Sequence, residues 1–528
     1  MIVRTFWWLA AWAALIATSP ALATVACDQP EPSLAGIEAK GWGADARNTR
    51  FHPQSKLQTG NVERLALKWA YGLAHPTPRS YPLVTEDTIF IGDSGRGVVA
   101  LDRERGCERW IAEHDGYISS AILLAEVGER SLLIYNDRIE GVFAIDARSG
   151  APVWHAEVTQ EPLPWYSGTP LVSGDKLFVP VASQEVGLAF NPFYGCCTTS
   201  GGMAAFDLAS GEQLWYRPTI EEPARETGRH WGFVSKYGPS GAPVWGAPSY
   251  DAARDVLFFG TGQNYSHPTT DSSNSLFALR GATGELLWHV QFTPDDAYTA
   301  ACNILPIQHP NCPNPAGPDV DFGAATILAR RADGSEILLG GQKSAEVHAV
   351  DPTDGTRLWT TRLGRGGIIG GVHWGMAVNE QLGLVFAPNS DKKVAQFPSP
   401  GEPRPGLYAL DLADGAVRWT YSRESRCEEE ECEYGLSSAI AAANDVVVTG
   451  SMDGFIEIHD ASTGARVWSY DAWRAFDAVN GVETTGGAFD AHGPLLVDDL
   501  LVVTSGYGYV GRQRGGNALL VFEVSDER

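Results

Sequence analysis

With 528 residues, 44% of them hydrophobic and 10% aromatic, the chain has ample material for a large core and is not of disordered composition. A formal net charge of −25 argues against nucleic acid or an anionic membrane surface as partner, and suits a basic one. The 58 Gly and 32 Pro are spread through the chain rather than gathered in a linker, so internal repeats outrank length in setting the domain count.

The first residues read as a secretory signal. Arg4 supplies the positive start, an apolar stretch runs from Phe6 to Thr18, and Ala21-Leu22-Ala23 offers small residues at the −3 and −1 positions of a cleavage site. That run is short for a transmembrane helix, and an uncleaved anchor is the alternative reading. Residues 1–23 are therefore expected to be removed, leaving 24–528 as a single domain in the periplasm or outside the cell, with no membrane span. Thr24-Val25-Ala26 before Cys27 lacks the Leu of a lipoprotein site.

Eight cysteines are an even number for an oxidising compartment. Local spacing favours Cys302 with Cys312 and Cys427 with Cys432, leaving Cys27 with Cys107. Cys196 and Cys197 are neighbours. No Cys-x-x-Cys-His occurs, so no covalent c-type haem is expected.

One unit then recurs: an apolar strand, Asp, three residues, Gly, three residues, Trp. It appears as Asp102, Gly106, Trp110; as Asp146, Gly150, Trp154; as Asp207, Gly211, Trp215; and as a variant with Arg280, Gly284, Trp288. It continues as Asp351, Gly355, Trp359; Asp411, Gly415, Trp419; and Asp460, Gly464, Trp468. Asp caps its own turn and Gly tolerates positive φ, while the flanking runs have strand character. These residues are scaffold. Trp69 is an orphan Trp-bearing strand whose missing partner is the C-terminal run 517–524. Joining the two ends gives an eighth unit and closes a ring without exposed edges. The fold predicted is all-β, an eight-bladed β-propeller, with seven blades as the alternative. The widest intervals, Trp215 to Trp288 and Trp288 to Trp359, must carry long insertions, where function usually sits.

Several stretches, in order along the chain, carry a resemblance. They include Asn48-Thr-Arg-Phe51, Gly195-Cys-Cys-Thr198, Phe259-Gly-Thr-Gly-Gln-Asn-Tyr265, Gly317-Pro-Asp-Val-Asp-Phe-Gly323, Gly341-Gln-Lys-Ser344, Gly371-Val-His-Trp-Gly-Met376 and Gly450-Ser-Met-Asp-Gly454. Together with the Trp-docking unit they resemble the quinoprotein alcohol dehydrogenases, which bind pyrroloquinoline quinone (PQQ), and within them the polyvinyl alcohol dehydrogenase-like branch. The resemblance implies PQQ with Ca²⁺ or a lanthanide, an alcohol substrate that is secondary or polymeric, and a separate cytochrome c as electron acceptor. A hard cation polarises the quinone carbonyl while a carboxylate takes the alcohol proton.

The same resemblance implies site residues. Glu185 matches the metal-binding Glu at the end of a blade strand, the alternative being an exposed strand-end carboxylate. Trp245 matches the stacking Trp, or is an ordinary core Trp. Gln263, 18 residues on, stands where relatives have an Asn metal ligand. Thr299 stands where the catalytic Asp would fall, and the segment from Cys302 to Pro318 reads as an insertion. Beyond it, Asp319 aligns with the base and Asp321 with an extra metal-binding acid. Two residues apart on an extended strand, both point one way; a solvated pair is the alternative. Lys343 matches a cation that contacts the quinone oxygens. His373 and Trp374 match residues at the ring edge, with a core histidine as the alternative for His373. Cys196 and Cys197 either join in a ring that stacks on the cofactor, as in simple relatives from an earlier blade, or enter two long-range disulfides, although the other six cysteines already make three pairs. A non-catalytic propeller scaffold for protein binding or envelope assembly is the competing function. A hydrolase or lyase lacks a nucleophile constellation.

Overall fold

The computed structural model describes residues 26–28, 31–36, 41–303, 309–391, 401–426, 432–508 and 513–525. The signal at 1–23 and Cys427 lie outside the described residues.

Eight sheets built on four antiparallel strands follow one another along the described chain, so the count is eight blades and not seven. Blade 1 begins at Leu83–Val84, blade 3 contains Lys176–Ser183, blade 4 begins at Ser249–Asp251, and blade 7 ends at Arg466–Asp471. Blade 8 is shared by both ends of the chain. Leu65–Gly72 pairs antiparallel with Ala518–Val524, from Leu65 opposite Val524 to Gly72 opposite Ala518. The ring therefore closes as the repeat predicts, with the edges confined to the short inner and outer strands of each blade.

Every repeat Trp but Trp468 docks across a blade boundary, onto the turn glycine of the next unit. Trp69 lies against Gly106, Trp359 against Gly415 and Trp419 against Gly464. The indole N–H of Trp359 donates to Leu412 O at 3.3 Å, and that of Trp419 to Ala461 O at 3.0 Å. At Gly415 two constraints coincide: φ is +72°, and a Cβ would stand 2.5 Å from the Trp359 ring. Only glycine meets both. The Asp of the unit caps its turn, as at Asp207, whose carboxylate accepts from Ser210 N at 2.9 Å and Ser210 Oγ at 2.6 Å. Trp468, without such a glycine ahead of it, packs edge-on against Phe522 of blade 8.

The segment before the first blade threads the ring. Ala46 accepts from Tyr250 of blade 4, Arg47 from Leu328 of blade 5, Thr49 from Val378 of blade 6 and Arg50 from Ala442 of blade 7. Arg50 is fully buried, donating to Trp42 O at 2.7 Å and Pro494 O at 3.0 Å. Its guanidinium lies 4.4 Å from the Trp42 ring centroid, a cation–π contact that offsets the cost of burying the charge. The Asn48-Thr-Arg-Phe motif is thus a plug that fastens innermost strands of successive blades.

Disulfides join Cys27 to Cys107, Cys302 to Cys312 and Cys196 to its neighbour Cys197. Cys432 is also disulfide-bonded. Among the described residues no helix is long and apolar enough to cross a membrane.

Candidate active site

In an antiparallel blade, the end of the second strand and the start of the first lie at the same end of the sheet. The residues singled out in the sequence fall at those positions. Glu185, Gln263 and Lys343 follow the second strands Lys176–Ser183, Val256–Gly260 and Glu336–Gly341. Trp245, Asp321 and Trp374 lead into the first strands Ser249–Asp251, Ile327–Arg330 and Ala377–Asn379. The fold therefore delivers all six to one mouth of the ring.

At its centre Lys343 bridges two carboxylates, 2.9 Å from Asp319 and 3.2 Å from Asp321. Asp321 also accepts the Trp245 indole N–H at 3.0 Å and the Gln263 backbone N–H at 2.9 Å. All of these groups except Trp245 are buried, so the solvated-pair reading of the acids falls. The extended strand expected for them also fails. Asp319 has φ +55° and precedes the strand, because the carboxylate of Asp296 accepts the N–H groups of Asp319 and Val320, both at 3.0 Å, and holds them in a turn. Asp296 was not foreseen; Thr299, nearby, is structural, its hydroxyl donating to Asn311 O at 3.0 Å.

Burial pushes Asp319 well above the usual carboxylate range. Lys343 opposes that rise, and Asp321 and Asp296 add to it. Burial works against the Lys343 ammonium, but Asp319 and then Asp321 outweigh it and hold the group above its ordinary value. Asp296 is raised as well, by burial.

Glu185 opens the one-turn helix Glu185–Leu188 and is fully buried, not an exposed strand end. Its carboxylate accepts from the backbone N–H of Thr198 and of Thr199, both at 2.8 Å, from Thr199 Oγ1 at 2.6 Å and from Tyr194 OH at 2.6 Å. The Cys196–Cys197 ring immediately precedes those amides and packs in a buried cluster with Tyr265, Ala189 and Ala301. Tyr265, two residues after Gln263, thus shares its cluster, while Trp245 packs against a different one. A cavity of about 380 Å³ borders this end of the cluster, lined by Glu161, Thr198, Thr199 and Tyr216 among others. Burial, with Glu185 close by, pushes Glu161 up to about 7.

On the other side, Trp245 meets His373 and Trp374 edge-on, with ring centroids 5.7 Å and 5.6 Å away. His373 Nδ1 is 2.8 Å from Ser437 Oγ, and the Trp374 indole donates to Asp490 at 3.0 Å. The guanidinium of Arg79 lies 4.7 Å from the Trp374 ring centroid and donates to Ser167 O at 2.9 Å. Arg79 and Glu161 carry no motif, so the sequence offered no signal for either.

Two observations test whether the residues fit a hard cation and an anionic planar cofactor. Gln263 Oε1 is a buried carbonyl oxygen with no hydrogen-bond partner, as an empty ligand position would be. Asp319 and Asp321 flank the Lys343 ammonium and Asp296 holds the Asp319 backbone, three buried carboxylates to one buried ammonium, an excess that a bound cation would neutralise. Trp245 supplies a flat, partly exposed face beside Lys343, whose Nζ is 5.8 Å from the ring centroid. The set fits. The one tight group of three metal-type ligands among the described residues, Cys27, Cys107 and Asp102, is elsewhere, and two of its members form a disulfide.

Comparison with known proteins bears on the family and the fold. Residues 166–307, which include Glu185, Trp245 and Gln263, match the family described as "Glucose/ethanol/alcohol dehydrogenase, beta-propeller domain". Residues 42–235 and 343–514 match a second, described as "Outer membrane protein assembly factor BamB". The chain is 31% identical to a polyvinylalcohol dehydrogenase of Sphingopyxis sp. (strain 113P3), over 97% of this chain and 81% of that one. It is 31% identical to another polyvinylalcohol dehydrogenase, of Pseudomonas sp., over 92% and 76%. Its fold is similar to that of the quinohemoprotein alcohol dehydrogenase from Comamonas testosteroni, with a TM-score of 0.66 and 19% identity over 93% of this chain and 81% of that one.

Proposed function

The chain belongs to the PQQ-dependent alcohol dehydrogenase family, and from that premise we propose that it oxidises a secondary or polymeric alcohol, of polyvinyl alcohol type, in the periplasm or outside the cell. In this reading residues 1–23 are the export signal and 24–528 are one propeller domain. PQQ rests on Trp245, with Lys343, His373 and Trp374 around it, and with the Cys196–Cys197 ring propping the cation end through Tyr265. Glu185, Gln263 and Asp321 hold Ca²⁺ or a lanthanide. A separate cytochrome c accepts the electrons.

Bound there, PQQ with its cation supplies a quinone carbonyl that accepts hydride. The chain's own residues manage the proton. Asp319 is the base: its carboxylate is fixed by Lys343 and by the Asp296 turn, and its raised pKa gives it affinity for the hydroxyl proton. Burial of the cluster excludes water from that transfer and strengthens each charge interaction in it.

The observation that carries this reading is the unpartnered Oε1 of Gln263 beside the Lys343–Asp319–Asp321 cluster. Titration of the quinone-free protein with PQQ and Ca²⁺ tests it, followed by dye reduction with a panel of alcohols. Expected are quinone binding and alcohol-dependent turnover, with Asp319→Asn reducing kcat by about 10²–10⁴-fold while binding the quinone normally. A protein that binds no quinone and oxidises no alcohol returns the assignment to a scaffold.

A further inference from the structure

Away from the cluster, four large apolar side chains stand in solvent on two loops that meet: Phe190, Phe193, Trp231 and Phe233, exposed to 48%, 66%, 58% and 65%. The ring centroids of Phe193 and Trp231 are 5.5 Å apart, and those of Trp231 and Phe233 are 6.0 Å apart. The first two come from the loop after Glu185–Leu188. The others form the tip of a hairpin, Arg225–His230 paired with Val234–Gly238. At that tip Trp231 has φ +48° and Gly232 φ +76°. Asn or Gly suits such a turn, whereas a bulky side chain there is uncommon. An indole placed at a disfavoured position and left in water points to function rather than packing.

The patch is rigidly mounted. Asn311 Nδ2 donates to Ala189 O at 3.3 Å, Asn191 O at 2.9 Å and Tyr194 O at 3.0 Å, and its Oδ1 is 3.3 Å from His230 Nε2. One side chain, next to the Cys302–Cys312 staple, thereby joins the Phe loop to the Trp hairpin. The hairpin is also tied to the vicinal disulfide, Tyr237 N donating to Cys196 O at 2.9 Å. The Phe loop is tied to the candidate site, since Tyr194, next to Phe193, donates to Glu185.

Its charges indicate the occupant. Arg225 pairs with Glu222 at 3.1 Å and Arg229 with Glu226 at 2.6 Å, leaving half-buried Lys236 as the other cation of the hairpin. Charges that pair within the hairpin give little field to steer a charged macromolecule. A row of aromatic faces suits an uncharged ligand with a hydrocarbon backbone.

We propose that Phe190, Phe193, Trp231 and Phe233 form a subsite that grips an uncharged, hydrocarbon-backboned polyol chain while one of its hydroxyls enters the oxidation site. The proposal rests on the alcohol-oxidising reading and adds to it a basis for preferring polymer over small alcohol. In this proposal a short alcohol is held by the inner site alone.

The test compares the wild type with Trp231→Ala/Phe233→Ala and with Phe193→Ala, all surface changes. The PQQ-loaded enzymes are assayed on polyvinyl alcohol and on 2,4-pentanediol, and polymer binding to the quinone-free proteins is measured by calorimetry. Expected is a rise of about tenfold in KM for the polymer with kcat kept, an equal loss of polymer binding, and diol kinetics within about twofold of wild type. Trp231→Tyr, which keeps an aromatic face, restores polymer binding. Equal losses on polymer and diol, or unchanged polymer binding, overturn the subsite. So does a selective loss of reduction of added cytochrome c with polymer kinetics intact, which would make the patch a protein-docking surface. Should the quinone titration fail, binding still decides: weakened polymer binding by the variants sustains the subsite although the activity reading falls.

Discussion

Asp296 accepts the backbone N–H of Asp319 at 3.0 Å, so one buried acid sets the backbone of the other. The arrangement holds the Asp319 side chain on Lys343 from a left-handed turn that a strand could not provide. It also places a second negative charge beside the proposed base, with consequences that can be measured.

The pH dependence of kcat/KM should respond oppositely to the two neighbours of Asp319. Base catalysis needs the carboxylate, so activity rises with pH through a pKa above the ordinary carboxylate range. Asp296→Asn removes a raising charge and moves that limb to lower pH. Lys343→Met removes the lowering charge, moves the limb to higher pH and reduces kcat. Shifts in the same direction would show that Asp319 is not the titrating base.

Gln263→Leu keeps the volume of the side chain and removes Oε1. Cation affinity of the PQQ-loaded protein, read by Tb³⁺ luminescence, should fall at least about tenfold, with the unfolding midpoint of the quinone-free protein unchanged or higher. Undiminished luminescence would take Gln263 out of the cation site.

Glu161 is pushed up to about 7 in the folded protein, so the fold binds a proton that the unfolded chain releases. The stability this contributes is present below about pH 4.5 and is lost as pH rises through about 7. Denaturant titrations of Glu161→Gln should lack this fall, leaving wild type weaker than the variant above neutrality by on the order of 1–3 kcal/mol. Parallel curves for the two proteins would contradict it.

Gly415→Ala should destabilise the fold by more than 1 kcal/mol, roughly the cost of a strained left-handed residue, plus the displacement of Trp359. The same change at Gly174, which has φ +60° and nothing within 4 Å, carries only the conformational cost. Urea unfolding of the pair separates the two contributions.

The propeller was legible because its signal is local and repeated. Asp, Gly and Trp at fixed spacing announce each blade, and even the joined ends could be read from Trp69 and the unpartnered run after Asn517. What spacing hid was partnership: the Trp belongs to the following turn, a relation that spans 37 residues between Trp69 and Gly106. The candidate site residues Glu185, Gln263, Lys343 and Trp245 are named through the family resemblance, which the repeat alone does not carry. Asp296 and Glu161 are not, since their importance arises from burial beside acids distant in sequence. The strand expected under Asp319 failed for the same reason, because a carboxylate 23 residues away sets its backbone.

The pairing of Leu65–Gly72 with Ala518–Val524 orders events during the chain's own manufacture. A polypeptide made from its N-terminus has all of blades 1 to 7 available before residue 518 exists, yet its first strand stays an open edge until that residue arrives. Any product that stops short of it is a broken ring with a bare strand ready to pair with another chain. Pairing of residues 518–524 with Leu65–Gly72 is therefore the step that completes blade 8 and closes the ring.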